Sequence, residues 1–171
     1  MAISEPPARE SARLSLPARH LTWLKRQPMA IFTLLLAIYS MVARIAPALI
    51  LVLYESTGRS LPATDWEPSL FAALVWAPLA ETFIGQWLPL YVVARLKGSV
   101  RAQLIAATVV FSLLHLPDVR VAIFAVPPAF ALAYAYVIWR DRGRHRGYWA
   151  AALTHFWVNG LATLIGVLLN H

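Results

Sequence analysis

The sequence predicts an all-α membrane protein, a bundle of about five transmembrane helices, and three observations carry that expectation. Of the 171 residues, 60% are hydrophobic and 13% charged, with mean hydropathy +0.62. A soluble domain is closer to half apolar and a quarter charged, so a soluble helical protein with very apolar helices is the excluded alternative. The apolar residues form five long runs separated by short polar segments, each run near the length that crosses a bilayer. Finally, 12 of the 15 lysines and arginines fall in alternate connecting segments, the pattern that orients membrane helices.

Met1–Pro28 is polar, basic and proline-bearing, and reads as a disordered or interfacial cytoplasmic tail. Its start resembles the n-region of a signal peptide. The apolar run that follows is too long for an h-region, and no small-residue cleavage site follows it. Residues 29–171 then form a single transmembrane domain. Met29–Tyr54 is the first span and contains Arg44 and Pro47. An arginine there must snorkel or face the protein interior, and snorkelling is the favoured expectation. Glu55–Pro68 is a loop punctuated by Gly58, Pro62 and Pro68.

Ser69–Leu96 is the second span and carries A-P-L-A-E-T-F-I-G-Q-W over Ala77–Trp87. Glu81 lies near its middle, where an ionisable side chain is costly and marks a functional site by default. Pro78 removes a backbone donor just before it. Gly85, one turn later, clears the same face for another helix. A turn at Gly98 leads to the third span, Val100–Leu116, which ends in F-S-L-L-H-L-P. The fourth span, Val119–Trp139, contains Pro127 and Pro128 and is expected to be kinked or to start late. Its alternation A-F-A-L-A-Y-A-Y suits close packing in lipid. Arg140–Gly147 is a basic loop, and Tyr148–Leu169 is the fifth span. The positive-inside bias places the N-terminus in the cytoplasm and the C-terminus outside, and an odd number of spans agrees, since it puts the two ends on opposite sides.

The net charge of +7 would suggest nucleic acid in a soluble protein. Here the basic residues flank apolar runs, so no nucleic-acid partner is expected. With no cysteine, disulfides and thiol chemistry are absent.

The polar residues within the runs are Glu81, Thr82 and Gln86 on the second span, His115 on the third, and His155 and Asn159 on the fifth. His155 and Asn159 are four apart and share a helix face, as do Phe111 and His115. Each alone has a structural explanation. An intramembrane histidine is usually packed and hydrogen-bonded, and Thr82, Gln86 and Asn159 can be interhelical glue. Together they supply what water activation needs. A carboxylate accepts the proton, a histidine holds the water, and a histidine–asparagine pair donates to an oxyanion. A straight-helix rise of ~1.5 Å per residue spreads the two histidines over about 12 Å of depth, with Glu81 between them.

These residues resemble the CPBP family of intramembrane proteases, which includes CAAX prenyl protease 2 and the bacteriocin-processing or self-immunity proteins called Abi. That family carries E-E-x-x-x-R, F-x-x-x-H and H-x-x-x-N on successive membrane helices. Glu81 stands on the first glutamate, Phe111 and His115 on the second motif, and His155 and Asn159 on the third. The resemblance spans residues 69–169. It implies that Glu81 and His115 activate water, and that His155 and Asn159 form the oxyanion hole. Thr82 replaces the usual second glutamate and Gln86 the usual arginine, a paired and charge-neutral change that leaves these two in supporting roles. It also implies a bacterial inner-membrane protein acting on a protein or peptide substrate among membrane lipids.

No cofactor is expected. Glu81 with two histidines could bind zinc, but H-E-x-x-H spacing is missing. The rival from another class is a non-catalytic scaffold or bacteriocin-immunity protein that keeps the fold. A proton-relaying transporter is disfavoured by five spans without an inverted repeat.

Overall fold

The computed structural model describes residues 16–61 and 69–169, so residues 1–15 of the predicted tail, residues 62–68 of the Glu55–Pro68 loop and residues 170–171 lie outside it. The described chain is an all-α membrane bundle. Helix α1 is Leu16–Arg26, followed by α2, Met29–Ala43, and α3, Ile45–Ser56. Next comes one helical rod from Leu70 to Arg95. It contains α4, Ala77–Thr82, and α5, Leu88–Arg95, each preceded by a π turn, Ala72–Trp76 and Phe83–Trp87. The bundle is completed by α6, Val100–Leu113, α7, Val119–Arg140, and α8, Arg144–Leu169. By length and composition, Met29–Ser56, Val119–Arg140 and His145–Leu169 are long and apolar enough to cross a membrane, and α6 is a shorter apolar helix.

Helix α7 is central and packs against α2, α6 and α8. Ala125, Ala129 and Ala133 face one core with Ala107, Phe111 and Val158. Ala131 and Ala135 face a second with Leu24, Phe32 and Ala150. The small side chains of the fourth span thus let neighbouring backbones approach on two sides, the usual source of helix association in lipid. Leu24 anchors α1 in the second core, while Trp23 beside it is exposed. Arg142 also donates from Nη2 to the Lys25 carbonyl at 2.8 Å.

Several expected boundaries change. The first span is two helices meeting at Arg44, whose N–H is shared between Ser40 O and Met41 O. Pro47 supplies the reason, since it cannot donate to the carbonyl four residues before it. Arg44 does not snorkel. Its Nε donates to Phe124 O on α7 at 3.1 Å.

That bond also explains a second difference. Helix α7 neither breaks nor starts late at Pro127 and Pro128 but runs through them from Val119. Pro128 leaves Phe124 O without its helical donor, and Arg44 replaces it. The basic loop is shorter than Arg140–Gly147, because only Asp141–Gly143 separates α7 from α8. Gly147 lies within α8, where a Cβ would come within 2.9 Å of Tyr136 O, so the helices cross closely there. Helix α6 ends at Leu113, not Leu116.

Candidate active site

The second span is built around two prolines that follow π turns. The segments W-A-P-L and W-L-P-L recur eleven residues apart, at Trp76–Leu79 and Trp87–Leu90. In the first π turn Ala77 N–H reaches back five residues to Ala72 O. Pro78, next in line, has no N–H to give. The carbonyl of Ala73 therefore has neither an α nor a π donor from its own helix. Asn159 on α8 supplies one, its Nδ2 lying 2.7 Å from Ala73 O. A single wide turn of this kind re-aims the side chains after it and is frequent at functional sites. Here it carries Glu81 on α4 into the bundle.

Gly85 lets the third span close on that face. A Cβ there would stand 2.8 Å from Phe111 Cδ2 and 3.3 Å from Phe111 Cα. The Phe111 ring in turn sits between two histidines. Its centroid is 5.1 Å from that of His115 and 5.3 Å, edge-on, from that of His155.

His115 lies just beyond the end of α6. Its backbone N–H turns to Ser112 O, which frees Phe111 O for its own ring, with Nδ1 donating at 2.9 Å. Its Nε2 is then the unprotonated nitrogen, and it faces Glu81 Oε2 at 3.7 Å. His155 Nε2 approaches the same oxygen at 3.7 Å. Both separations exceed a direct hydrogen bond. Glu81 keeps 34% of its side-chain surface accessible, against 5% for His155, so the carboxylate is the wet member of the trio.

The remaining predicted residues lie behind this group. Thr82 is buried, with Oγ1 3.5 Å from His155 Nδ1. Gln86 is buried and points away, donating from Nε2 to Ala129 O on α7 at 3.2 Å. The structure thus brings Glu81, His115 and His155 to one point and sets Thr82 behind His155. Asn159 is bonded to the π turn, and Gln86 is engaged with the central helix.

Two adjoining cavities meet at His115, His155 and Asn159. One, of about 800 Å³, reaches Glu81, Ala73 and Trp76 on one side and Leu114, Asp118 and Thr163 on the other. The second, of about 290 Å³, runs toward Arg44, Arg120 and Phe124. Both lie in the half of the bundle opposite the basic turns at Lys97 and Arg142.

Sequence patterns left Tyr148 unmarked and favoured snorkelling for Arg44. Tyr148, placed only as the start of the fifth span, donates its hydroxyl to Leu79 O at 2.9 Å and ties α8 to α4. Arg44 joins the second cavity from the first span. The signal for it was Pro128, whose missing donor calls for a cation or amide against Phe124 O. Among the described residues, no three His, Asp or Glu side chains are arranged to hold a metal ion.

The family model described as Rce1-like, type II CAAX prenyl endopeptidase, matches residues 63–161. The match contains all three motifs and excludes the first span. No curated protein and no solved structure matches the chain.

Proposed function

Because this chain belongs to the family of Rce1-like, type II CAAX prenyl endopeptidases, we propose that it is an intramembrane endopeptidase whose base is Glu81. The observation that carries this is the pair of imidazole nitrogens, His115 Nε2 and His155 Nε2, each 3.7 Å from one Glu81 oxygen. The histidines are held for opposite tasks. His115 spends its N–H on Phe111 O, so its Nε2 accepts and can orient a water beside the carboxylate. His155 has the Thr82 hydroxyl at Nδ1. A hydroxyl donating there leaves the proton on Nε2, which then donates.

The reaction follows from these roles. Glu81 takes a proton from the water as the oxygen attacks the scissile carbonyl carbon. The carbonyl oxygen, now anionic, accepts from His155 Nε2–H and from the second N–H of Asn159. Collapse of the tetrahedral intermediate breaks the C–N bond, and Glu81 returns the proton to the leaving amine. Each hydrogen-bond donor is worth most in a site with little bulk water. The departures at Thr82 and Gln86 fit this scheme, since together they remove one negative and one positive charge and leave the net charge around Glu81 unchanged.

No cofactor enters the scheme. The substrate is a protein or peptide reaching the site from the surrounding lipid, and a prenylated C-terminal CAAX segment is the first candidate. The charge bias places the N-terminus in the cytoplasm, and the cell membrane of a bacterium is the expected location.

The test uses the full chain in proteoliposomes with an S-farnesyl peptide ending in CAAX, measuring release of the C-terminal tripeptide by mass spectrometry. Glu81→Gln should lower turnover by roughly 10²–10⁴-fold, and o-phenanthroline should leave the wild type active. Turnover that survives Glu81→Gln would remove Glu81 as the base, and a wild type without turnover would belong to the scaffold class. Loss on chelation with recovery on zinc would move it to the metallopeptidases.

A further inference from the structure

The smaller cavity holds a cation that the scheme above does not use. Arg44 sits midway along the Met29–Ser56 span and lines this 290 Å³ space together with His115, His155, Asn159 and Arg120. The two guanidiniums differ in their partners. Arg120 Nη2 is paired with Glu55 Oε1 at 2.7 Å. Arg44 has only neutral partners, with Nε on Phe124 O and Nη1 at 3.6 Å from Met41 Sδ. Among the described residues, no carboxylate lies within ion-pair distance of it.

An unneutralised guanidinium at mid-depth is expensive and is kept only for a purpose. Helical repair is not a sufficient one, because a neutral amide could serve the carbonyl freed by Pro128. Gln86 shows that a neutral amide can reach a carbonyl of this helix, at Ala129 O. The rest of the cavity is apolar, walled by Phe124, Pro128 and Val158. A space with apolar walls, lined by a fixed cation and by His115, His155 and Asn159, where it meets the cavity that reaches Glu81, suits a short apolar chain ending in an anion.

We infer that Arg44 is the receptor for the free α-carboxylate that ends the substrate chain, with the last apolar residues lying in this cavity. The inference rests on the peptidase reading and deepens it. The Nε bond to Phe124 O holds the guanidinium plane at the wall of the cavity. A pre-oriented guanidinium binds a planar carboxylate through paired, charge-assisted bonds. Arg44 lies outside the matched residues 63–161, so this specificity is a property of the first span of this chain.

The experiment separates binding from turnover. The full chain carrying Glu81→Gln is placed in nanodiscs, and binding of a fluorescein-labelled S-farnesyl peptide ending in three apolar residues is followed by anisotropy. The peptide is used as the free acid and as the C-terminal amide. The acid should bind about tenfold or more tightly than the amide. Adding Arg44→Gln should bring the two within about twofold by weakening the acid alone. Arg44→Lys, which keeps the charge but not the fork, should retain part of the preference. Equal binding of acid and amide, no binding of the acid, or a preference that survives Arg44→Gln would overturn the inference. If Arg44→Gln does not fold, the acid-to-amide ratio of the Glu81→Gln and Arg44→Lys proteins decides. Cleavage of the acid peptide by the wild type is scored separately. An acid preference without cleavage counts against the peptidase, and cleavage without an acid preference counts against Arg44.

Discussion

Replacing Gly85 by alanine adds one methyl group at the contact that sets the site. The new Cβ would lie 2.8 Å from Phe111 Cδ2, 3.2 Å from Leu114 Cδ1 and 3.3 Å from Phe111 Cα. Ordinary carbon contacts begin near 3.4 Å, so the ring must retreat by about 0.6 Å and the α6 backbone by a few tenths. Overpacking of this size costs roughly 1–3 kcal/mol. The displacement also reaches the chemistry. Phe111 O holds His115 Nδ1, and the Phe111 ring lies against both imidazoles. Since a misplacement of ~1 Å can cost about 10²-fold, Gly85→Ala should lower turnover about tenfold. Turnover of the farnesyl peptide and thermal unfolding in detergent measure the two effects. Gly160→Ala and Gly166→Ala are the controls, because a Cβ at either meets nothing within 4 Å. Each should be neutral or slightly stabilising, by up to ~1 kcal/mol from helix propensity. Equal stability and turnover for Gly85→Ala and Gly160→Ala would refute the close approach of the second π turn and α6 as the device that places His115.

Two further outcomes are expected. Asn159→Ala removes the donor that replaces Pro78 at Ala73 O, and should destabilise the protein by about 1–2 kcal/mol in thermal unfolding. An unchanged melting temperature would mean that the π turn does not depend on α8. Reporter fusions after Gly98 and after Arg142 should score cytoplasmic and one after Ser60 external, and any other pattern would invert the bundle.

The sequence by itself determined the class and the candidate residues, because these depend on composition and local order. Long apolar runs in a chain with 13% charge have few places to go except lipid. Glu81, His115, His155 and Asn159 stood out because polar side chains in such runs are rare, and their motif spacing supplied the family. Gly85 was legible as a cleared face for the same local reason. Tertiary structure decided everything that depended on where a carbonyl loses its donor and who replaces it. A uniform helical rise spread the histidines over about 12 Å. The π turns before Pro78 and Pro89, the early end of α6 and the turn at His115 instead bring both Nε2 atoms to 3.7 Å from one oxygen. Arg44 was expected to snorkel because sequence shows a cation and not its acceptor. Only packing α7 beside α2 and α3 brings Phe124 O, orphaned by Pro128, within 3.1 Å of it. In lipid a backbone carbonyl without a donor must find one inside the protein. The prolines that look like breaks in the sequence therefore become the points at which Asn159 and Arg44 tie separate spans together.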